Sequence, residues 1–215
     1  MNTPRLLPYG DRALLVEVEE VSEVVLVADA VRSGPLADLV DDVVPGARSV
    51  LLLARPGVDP AEIRERAETG IVPDDLRVDP SKSPADRQGP STVEIPVTYD
   101  GPDLAEVARM TGLSEEEVVA AHTGTPWRVA FGGFAPGFAY LVGGDPRLEV
   151  PRRDEPRTQV PTGAVGLAGE FSGVYPRESP GGWQLIGRTE VAMWDLDRDP
   201  PALLDAGATV RFLRA

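Results

Sequence analysis

The sequence predicts a two-domain chain, an α+β domain followed by a mainly-β domain, and three features carry that prediction. Strand and helix signals alternate over about the first 75 residues, as in a small layered α+β unit. A stretch rich in Pro and Asp, without periodicity, follows. Beyond Trp127 the chain breaks into short apolar runs cut by Gly and Pro, the pattern of a β-barrel or sandwich. Gly and Pro together make up 44 of the 215 residues. That is well above the usual ~12% and excludes a helical bundle.

In chain order, residues 12–18 (RALLVEV) read as a strand entered through the Gly10-Asp11 turn. Ser22 is placed to cap a helix that runs to Arg32 and stops at Gly34-Pro35. Residues 36–43 form a second helical patch ending at Pro45-Gly46, and 49–54 (SVLLLA) form a buried strand. Asp59-Pro60-Ala61-Glu62 supplies an N-cap, a proline at N1 and an acid at N3, with Ile63, Ala67 and Ile71 following at spacing four. This alternation is that of a ferredoxin-like sandwich. Residues 72–91 hold four prolines and four aspartates and read as a connection. The expected division is therefore 1–80, a linker at 81–91, and 92–215. The second domain opens with the alternating strand 92–97, then a helix over 104–110 and a second helix capped by Ser114 with Glu117. Apolar runs at 127–131, 138–142, 164–168, 183–186, 191–195 and 209–213 supply its strands.

Composition removes whole classes of function. The chain carries 21 basic and 35 acidic residues, a net charge of −14, so nucleic acid and anionic membrane surfaces are poor partners. It contains no cysteine, which removes thiol chemistry and cysteine-ligated metals, and its single histidine, His122, removes multi-histidine metal sites. Lys82 is the one lysine. The longest apolar runs, 24–28 and 50–54, are far short of the ~18 residues that span a bilayer. The opening MNTPRLLPYGDR reaches a charge and a turn before any signal-peptide core develops. A cytoplasmic protein is expected.

Three segments and one residue are chemically suggestive. FGGFAPGFAYL at 131–141 interleaves glycine and aromatics, which build either an apolar wall beside a ligand or a tight barrel corner. It matches neither a P-loop nor a dinucleotide fingerprint. PRRDEPRTQVPTG at 151–163 places Arg152, Arg153 and Arg157 within six residues of a proline-stiffened loop. Such a fork suits a carboxylate or phosphate, or pairs with Asp154 and Glu155 on a solvated surface. Between Arg147 and Arg188 there are six arginines and five acids, a local charge of +1 in a strongly acidic chain. That contrast favours a small anionic ligand. In YPRESPGGWQLIGRT at 175–189, Tyr175, Ser179 and Gln184 can orient the polar atoms of a small molecule. His122 ends a capped helix; it is either a cation facing the helix dipole or a general acid or base. No G-x-S-x-G elbow is present, which argues against a self-contained triad hydrolase.

These residues resemble a known family. The run from Phe131 to Thr189 is similar to the signature of the KipI / PxpB family of 5-oxoprolinase B subunits, also called allophanate hydrolase subunit 1. The likeness extends to Tyr9-Gly10-Asp11, Val44-Pro45-Gly46, VEIPVTYDG at 93–101, His122 and AGATVRF at 206–212. It departs at Phe138-Ala139, where the family usually has an aromatic-proline pair, and at Thr162. The resemblance implies a ferredoxin-like N-terminal domain and a cyclophilin-like C-terminal barrel. It also implies a partner of the C-subunit (allophanate hydrolase subunit 2) type. With an A-type subunit, the assembly would be an ATP-dependent complex opening 5-oxoproline to L-glutamate. ATP would then be used by the complex. On this reading Arg152, Arg153 and Arg157 hold a small anionic substrate, Tyr175, Ser179 and Gln184 orient it, and His122 is the candidate proton carrier. The same family implies two alternatives, urea or allophanate processing beside a biotin carboxylase, and inhibition of a sensor histidine kinase.

Overall fold

A computed structural model describes residues 4–70 and 91–215. The chain divides into two compact units, Met1–Lys82 and Ser83–Ala215. The expected boundary at 80 and all of the 81–91 linker except Ser91 lie outside the described residues.

In the first unit, β1 (Arg5–Tyr9), β2 (Ala13–Glu17), α1 (Val21–Ser33), β3 (Val40–Pro45), β4 (Ser49–Ala54) and α2 (Pro60–Gly70) follow in order. The strands form one antiparallel sheet in the order β1-β2-β4-β3. Leu14, Val16, Val50 and Leu52 pack with Val24, Val27 and Val31 of α1 and with Ile63 and Ala67 of α2.

For this unit two expectations are corrected and a third is not established. A ferredoxin-like unit runs βαββαβ, whereas the described residues run ββαββα. The edge position beside β2 is filled by β1, which precedes it, so the ferredoxin-like assignment is not established. β1 escapes sequence reading because Pro8 argues against a strand, and prolines are tolerated only at such an edge. Residues 36–43 are not helical. Leu36–Leu39 form a turn with Leu36 buried, and the Val-Asp-Asp-Val-Val segment enters β3 through a bulge, since Asp and β-branched Val are poor helix formers. Finally, α1 is capped at Glu20 rather than Ser22: the Glu23 carboxylate accepts the Glu19 and Glu20 N–H groups at 2.9 and 3.0 Å.

The second unit contains β5 (Thr92–Val97), α3 (Leu104–Thr111), α4 (Glu115–Gly124), β6 (Trp127–Gly132), β7 (Ala139–Val142), β8 (Arg157–Val160), β9 (Ala164–Ala168), β10 (Phe171–Val174), β11 (Ser179–Gly181), β12 (Gln184–Arg188) and β13 (Thr209–Arg214). Seven strands form a sheet in the order β12-β9-β10-β7-β6-β13-β5. Its two edges meet, because Thr98, next after β5, exchanges N–H···O bonds of 2.9 Å with Arg188. Gly101 and Asp103 continue the seam by donating to the Ile186 and Leu185 carbonyls at 3.2 and 2.9 Å. The unit is thus mostly β and nearly closed as a barrel. Its interior is filled by Ile95, Val97, Leu141, Leu167, Ile186 and Phe212, with Val107 and Val118 of the two helices. A separate two-stranded ribbon pairs β8 with β11. Phe138, Val160, Tyr175, Trp183 and Leu185 make a second small core.

The runs expected at 127–131, 138–142, 164–168, 183–186 and 209–213 fall on β6, β7, β9, β12 and β13. Residues 191–195 do not form a strand and make a single bridge, Trp194 to Ala202. β8, β10 and β11 are short, polar or Gly-containing, too weak to stand out as periodic signals. Ser114 caps α4 as expected, accepting from the Glu117 N–H at 3.2 Å while Glu117 accepts the Ser114 N–H at 2.8 Å. Ser114→Ala should therefore cost about 1 kcal/mol in chemical denaturation. Gly101 is required by close approach: a Cβ there would overlap the Leu185 carbonyl oxygen and the Ile186 carbonyl carbon at the seam. Gly101→Ala should lower stability by about 2 kcal/mol, read from the shift in urea midpoint.

Candidate functional site

The arginine loop is organised by a residue that sequence reading passes over, Asp103. It stands at the N-cap of α3, yet its carboxylate makes no capping bond. Instead Oδ1 accepts from Arg153 Nη1 at 2.9 Å and Arg157 Nη2 at 2.7 Å, and Oδ2 accepts the Leu185 N–H at 2.7 Å. Asp103 is 4% exposed while both guanidinium groups still reach solvent in part. Arg157 Nη1 also donates to the Trp183 carbonyl at 3.4 Å, and the Arg153 N–H donates to the Gly182 carbonyl at 2.8 Å. One carboxylate between two guanidinium groups leaves a charge of +1 and ties the loop to the barrel seam. The alternative that Asp154 and Glu155 neutralise these arginines is not what the structure has; Arg153 meets only the Glu155 backbone carbonyl, at 3.3 Å. A helix-start aspartate is legible at Asp103, but not its burial beneath arginines some fifty residues away.

Arg152 is separate from this clamp. It is exposed and forms no ion pair among the described residues. Tyr175 is buried, and its hydroxyl pKa is pushed up by that burial. A backbone hydrogen bond from Trp183 and the positive charges of Arg152 and Arg157 oppose the rise. Gln184 is buried and donates from Nε2 to the Pro151 carbonyl at 3.1 Å. Its Oε1, like the buried Oγ of Ser179, finds no hydrogen-bond partner among the described residues. Buried polar atoms are seldom left unmatched, so these two mark places where a ligand or neighbouring group can bond. The structure thus brings Arg153 and Arg157 together on Asp103, and sets residues 151–153 beside 182–184.

His122 belongs elsewhere. It is 0% exposed, stacked on Phe212 with ring centroids 4.2 Å apart and tilted against Trp127 at 5.3 Å. Its ring is hydrogen-bonded through Nδ1 to the Tyr99 hydroxyl at 2.7 Å and through Nε2 to Ser172 Oγ at 2.8 Å. Burial drives its pKa down to about 3. Burial keeps the ring neutral near pH 7, which argues against a cation facing the helix dipole, and with both nitrogens bonded to hydroxyls the geometry is that of a hydrogen-bonded core group.

The 131–141 segment supplies an unexpected feature. Phe134 stands in the left-handed region at φ 67° and is 59% exposed. Its ring contacts Phe138 and Tyr175 edge-on, at centroid distances of 5.3 and 6.2 Å. For a bulky residue that backbone costs about 1–2 kcal/mol, so the surroundings must impose it. Gly137, at φ 82°, does so in part. It lies so close to the neighbouring segment that a Cβ would sit 2.9 Å from Trp194 Cβ and 3.0 Å from the Met193 carbonyl oxygen. The segment is a tight corner and also presents an aromatic wall. Among the described residues no acidic or histidine cluster could hold a metal, and no helix is long and apolar enough to cross a membrane.

Comparison with known proteins fixes the family. The model described as "Carboxyltransferase domain, subdomain C and D" matches residues 4–204. The chain belongs to this family. It is 50% identical over 125 residues to the 5-oxoprolinase B subunit of Bacillus subtilis (strain 168), covering 57% of this chain and 52% of that protein. It is 52% identical over 124 residues to the 5-oxoprolinase B subunit of Escherichia coli O157:H7, covering 56% and 57%. The matched region thus spans about half the length of these curated relatives. A more distant relative, the Saccharomyces cerevisiae urea amidolyase, is 34% identical over 92 residues, 41% of this chain and 5% of that one. Among solved structures, TTHA0988 superposes with a TM-score of 0.70 at 36% identity, over 95% of this chain and 40% of its own. The Kluyveromyces lactis urea amidolyase, at 20% identity and a TM-score of 0.63 over 99% of this chain and 15% of its own, shares the fold.

Proposed function

We propose that the chain is the B subunit of an ATP-dependent 5-oxoprolinase, a heteromeric lactam hydrolase that converts 5-oxoproline, ATP and two waters into L-glutamate, ADP and phosphate. The observation that carries this reading is 50% and 52% identity to two proteins named as the B subunits of 5-oxoprolinases. The residues agree with it. A lactam bearing a carboxylate needs a cationic group for the anion and polar groups for the amide. Arg152, free of ion pairs among the described residues, and the +1 clamp of Arg153, Arg157 and Asp103 supply the first. The unmatched oxygens of Ser179 and Gln184 supply candidates for the second. No triad is available, and His122 is held in the core. Activation of the lactam carbonyl therefore falls to phosphoryl transfer, with groups contributed by a C-type partner and joined by an A-type one. The chain forms one wall of a shared site in the cytoplasm.

The test is reconstitution with the partner proteins, with glutamate measured as product. Arg152→Ala should lower kcat/KM for 5-oxoproline at least tenfold while the complex still assembles; unchanged turnover would remove Arg152 from the site. The urea amidolyase relative favours one second reading, a urea- or allophanate-processing component. The same complex supplied with urea in place of 5-oxoproline separates the two.

A further inference from the structure

The antiparallel sheet of the first unit is apolar on both of its faces. Leu14, Val16, Val50 and Leu52 are buried against the helices. The alternate residues of the same strands point the other way. Strand register sets Leu7 beside Leu15, Leu15 beside Leu51 and Leu51 beside Val44, one unbroken row across all four strands. Cross-strand neighbours on one face lie about 5 Å apart at Cβ, so these four side chains make a continuous surface. Tyr9 and Leu53 extend it in the next row, where Ala13 pairs with both. Leu7, Leu15, Leu51 and Leu53 are half-buried, Val44 is 48% exposed and Tyr9 59%. An antiparallel sheet with one wet face alternates apolar and polar residues. The run Val50-Leu51-Leu52-Leu53-Ala54 in β4 is instead that of a strand covered on both sides.

Charge selects what covers it. A chain of net charge −14 repels a second copy over most of its surface. On this face Arg5 and Glu17 cancel in a 3.0 Å ion pair, which leaves Asp42, at the β3 margin, as the remaining charge. We propose that this face joins two copies of the chain, their sheets stacking as an aligned sandwich with Leu15 and Leu51 at the centre. A two-fold axis parallel to the strands lays β1 over the second copy's β3, and β2 over its β4. Leu7 then meets Val44 and Leu15 meets Leu51, apolar against apolar, and no charge faces one of its own sign. Four strands of five residues cover about 19 by 17 Å. That is the scale of a weak, micromolar association rather than an obligate dimer. The inference is independent of the reaction proposed above.

Sedimentation velocity of the full chain tests it. The weight-average mass should climb from monomer toward dimer as concentration rises through the micromolar range. Leu15→Glu and Val44→Lys place charges of opposite sign on the face, and each should raise the dissociation constant at least tenfold. Neither side chain belongs to the helix-packed core, so both variants should keep the wild-type circular dichroism spectrum. Leu213→Glu, at an exposed apolar residue of the second unit, should dimerise as the wild type does. A chain that stays monomeric throughout, or wild-type affinity in either face variant, overturns the proposal. So does an equal loss in Leu213→Glu, which would trace the effect to overall charge. A lone chain that is monomeric, while Leu15→Glu weakens assembly with the partner proteins, gives the face to a different protein and also overturns the homodimer.

Discussion

Replacing Asp103 by alanine is expected to destabilise the second unit by about 3 kcal/mol, the low end for breaking a buried ion pair. The carboxylate is buried and takes three hydrogen bonds, from Arg153, Arg157 and the Leu185 N–H. Its loss leaves two positive charges facing each other and a seam N–H without its acceptor. Part of that cost comes from the orphaned arginines, so the triple variant Asp103→Ala, Arg153→Leu, Arg157→Leu should recover some of it. Urea denaturation of the three proteins reads the difference. If Asp103→Ala unfolds at the wild-type midpoint, the clamp has no structural role and the +1 excess assigned to it loses its basis.

The second large effect is a pH dependence centred on His122. Unfolded, its pKa is near 6.5; folded, burial lowers it to about 3. Between these values the unfolded chain binds a proton that the folded chain refuses, so stability rises with pH through the window. The contribution is fully present above about 6.5 and is lost as pH falls toward 3, by as much as about 5 kcal/mol across the window. His122→Gln, which can still bond Tyr99 and Ser172, should be less stable at pH 7 but should show a flatter decline between pH 6.5 and 4. Carboxylates titrate in both proteins, so the informative quantity is the difference between the two curves. Parallel curves would mean that folding does not lower the His122 pKa.

Much of the architecture is legible in the residues themselves. The strands at 49–54, 92–97 and 164–168 announce themselves by alternating or continuous apolar residues, and the Ser114–Glu117 box marks a helix start by chemistry local to four residues. What is not legible is decided at long range. Residues 36–43 look helical until β4 offers a pairing partner, and β1, with Pro8 inside it, is a strand because β2 lies beside it. Asp103 draws no notice in the sequence, since nothing near it reveals the arginines that claim its carboxylate. His122 carries the same letter whether it is a proton carrier or a core group; only the stacking on Phe212 and the bonds to Tyr99 and Ser172 decide. The arginine loop stands out because local charge is countable. Its division into a clamped pair and a free Arg152 is not countable.

If this chain contributes part of an active site and obtains the remainder from other proteins, activity must belong to the assembly. Glutamate formation from 5-oxoproline and ATP, measured for the purified chain, for its partners and for the mixture, addresses this directly. Product is expected only from the mixture, with a tenfold or greater loss when Arg152→Ala replaces the wild-type chain. Turnover by the chain alone at the rate of the mixture would contradict it.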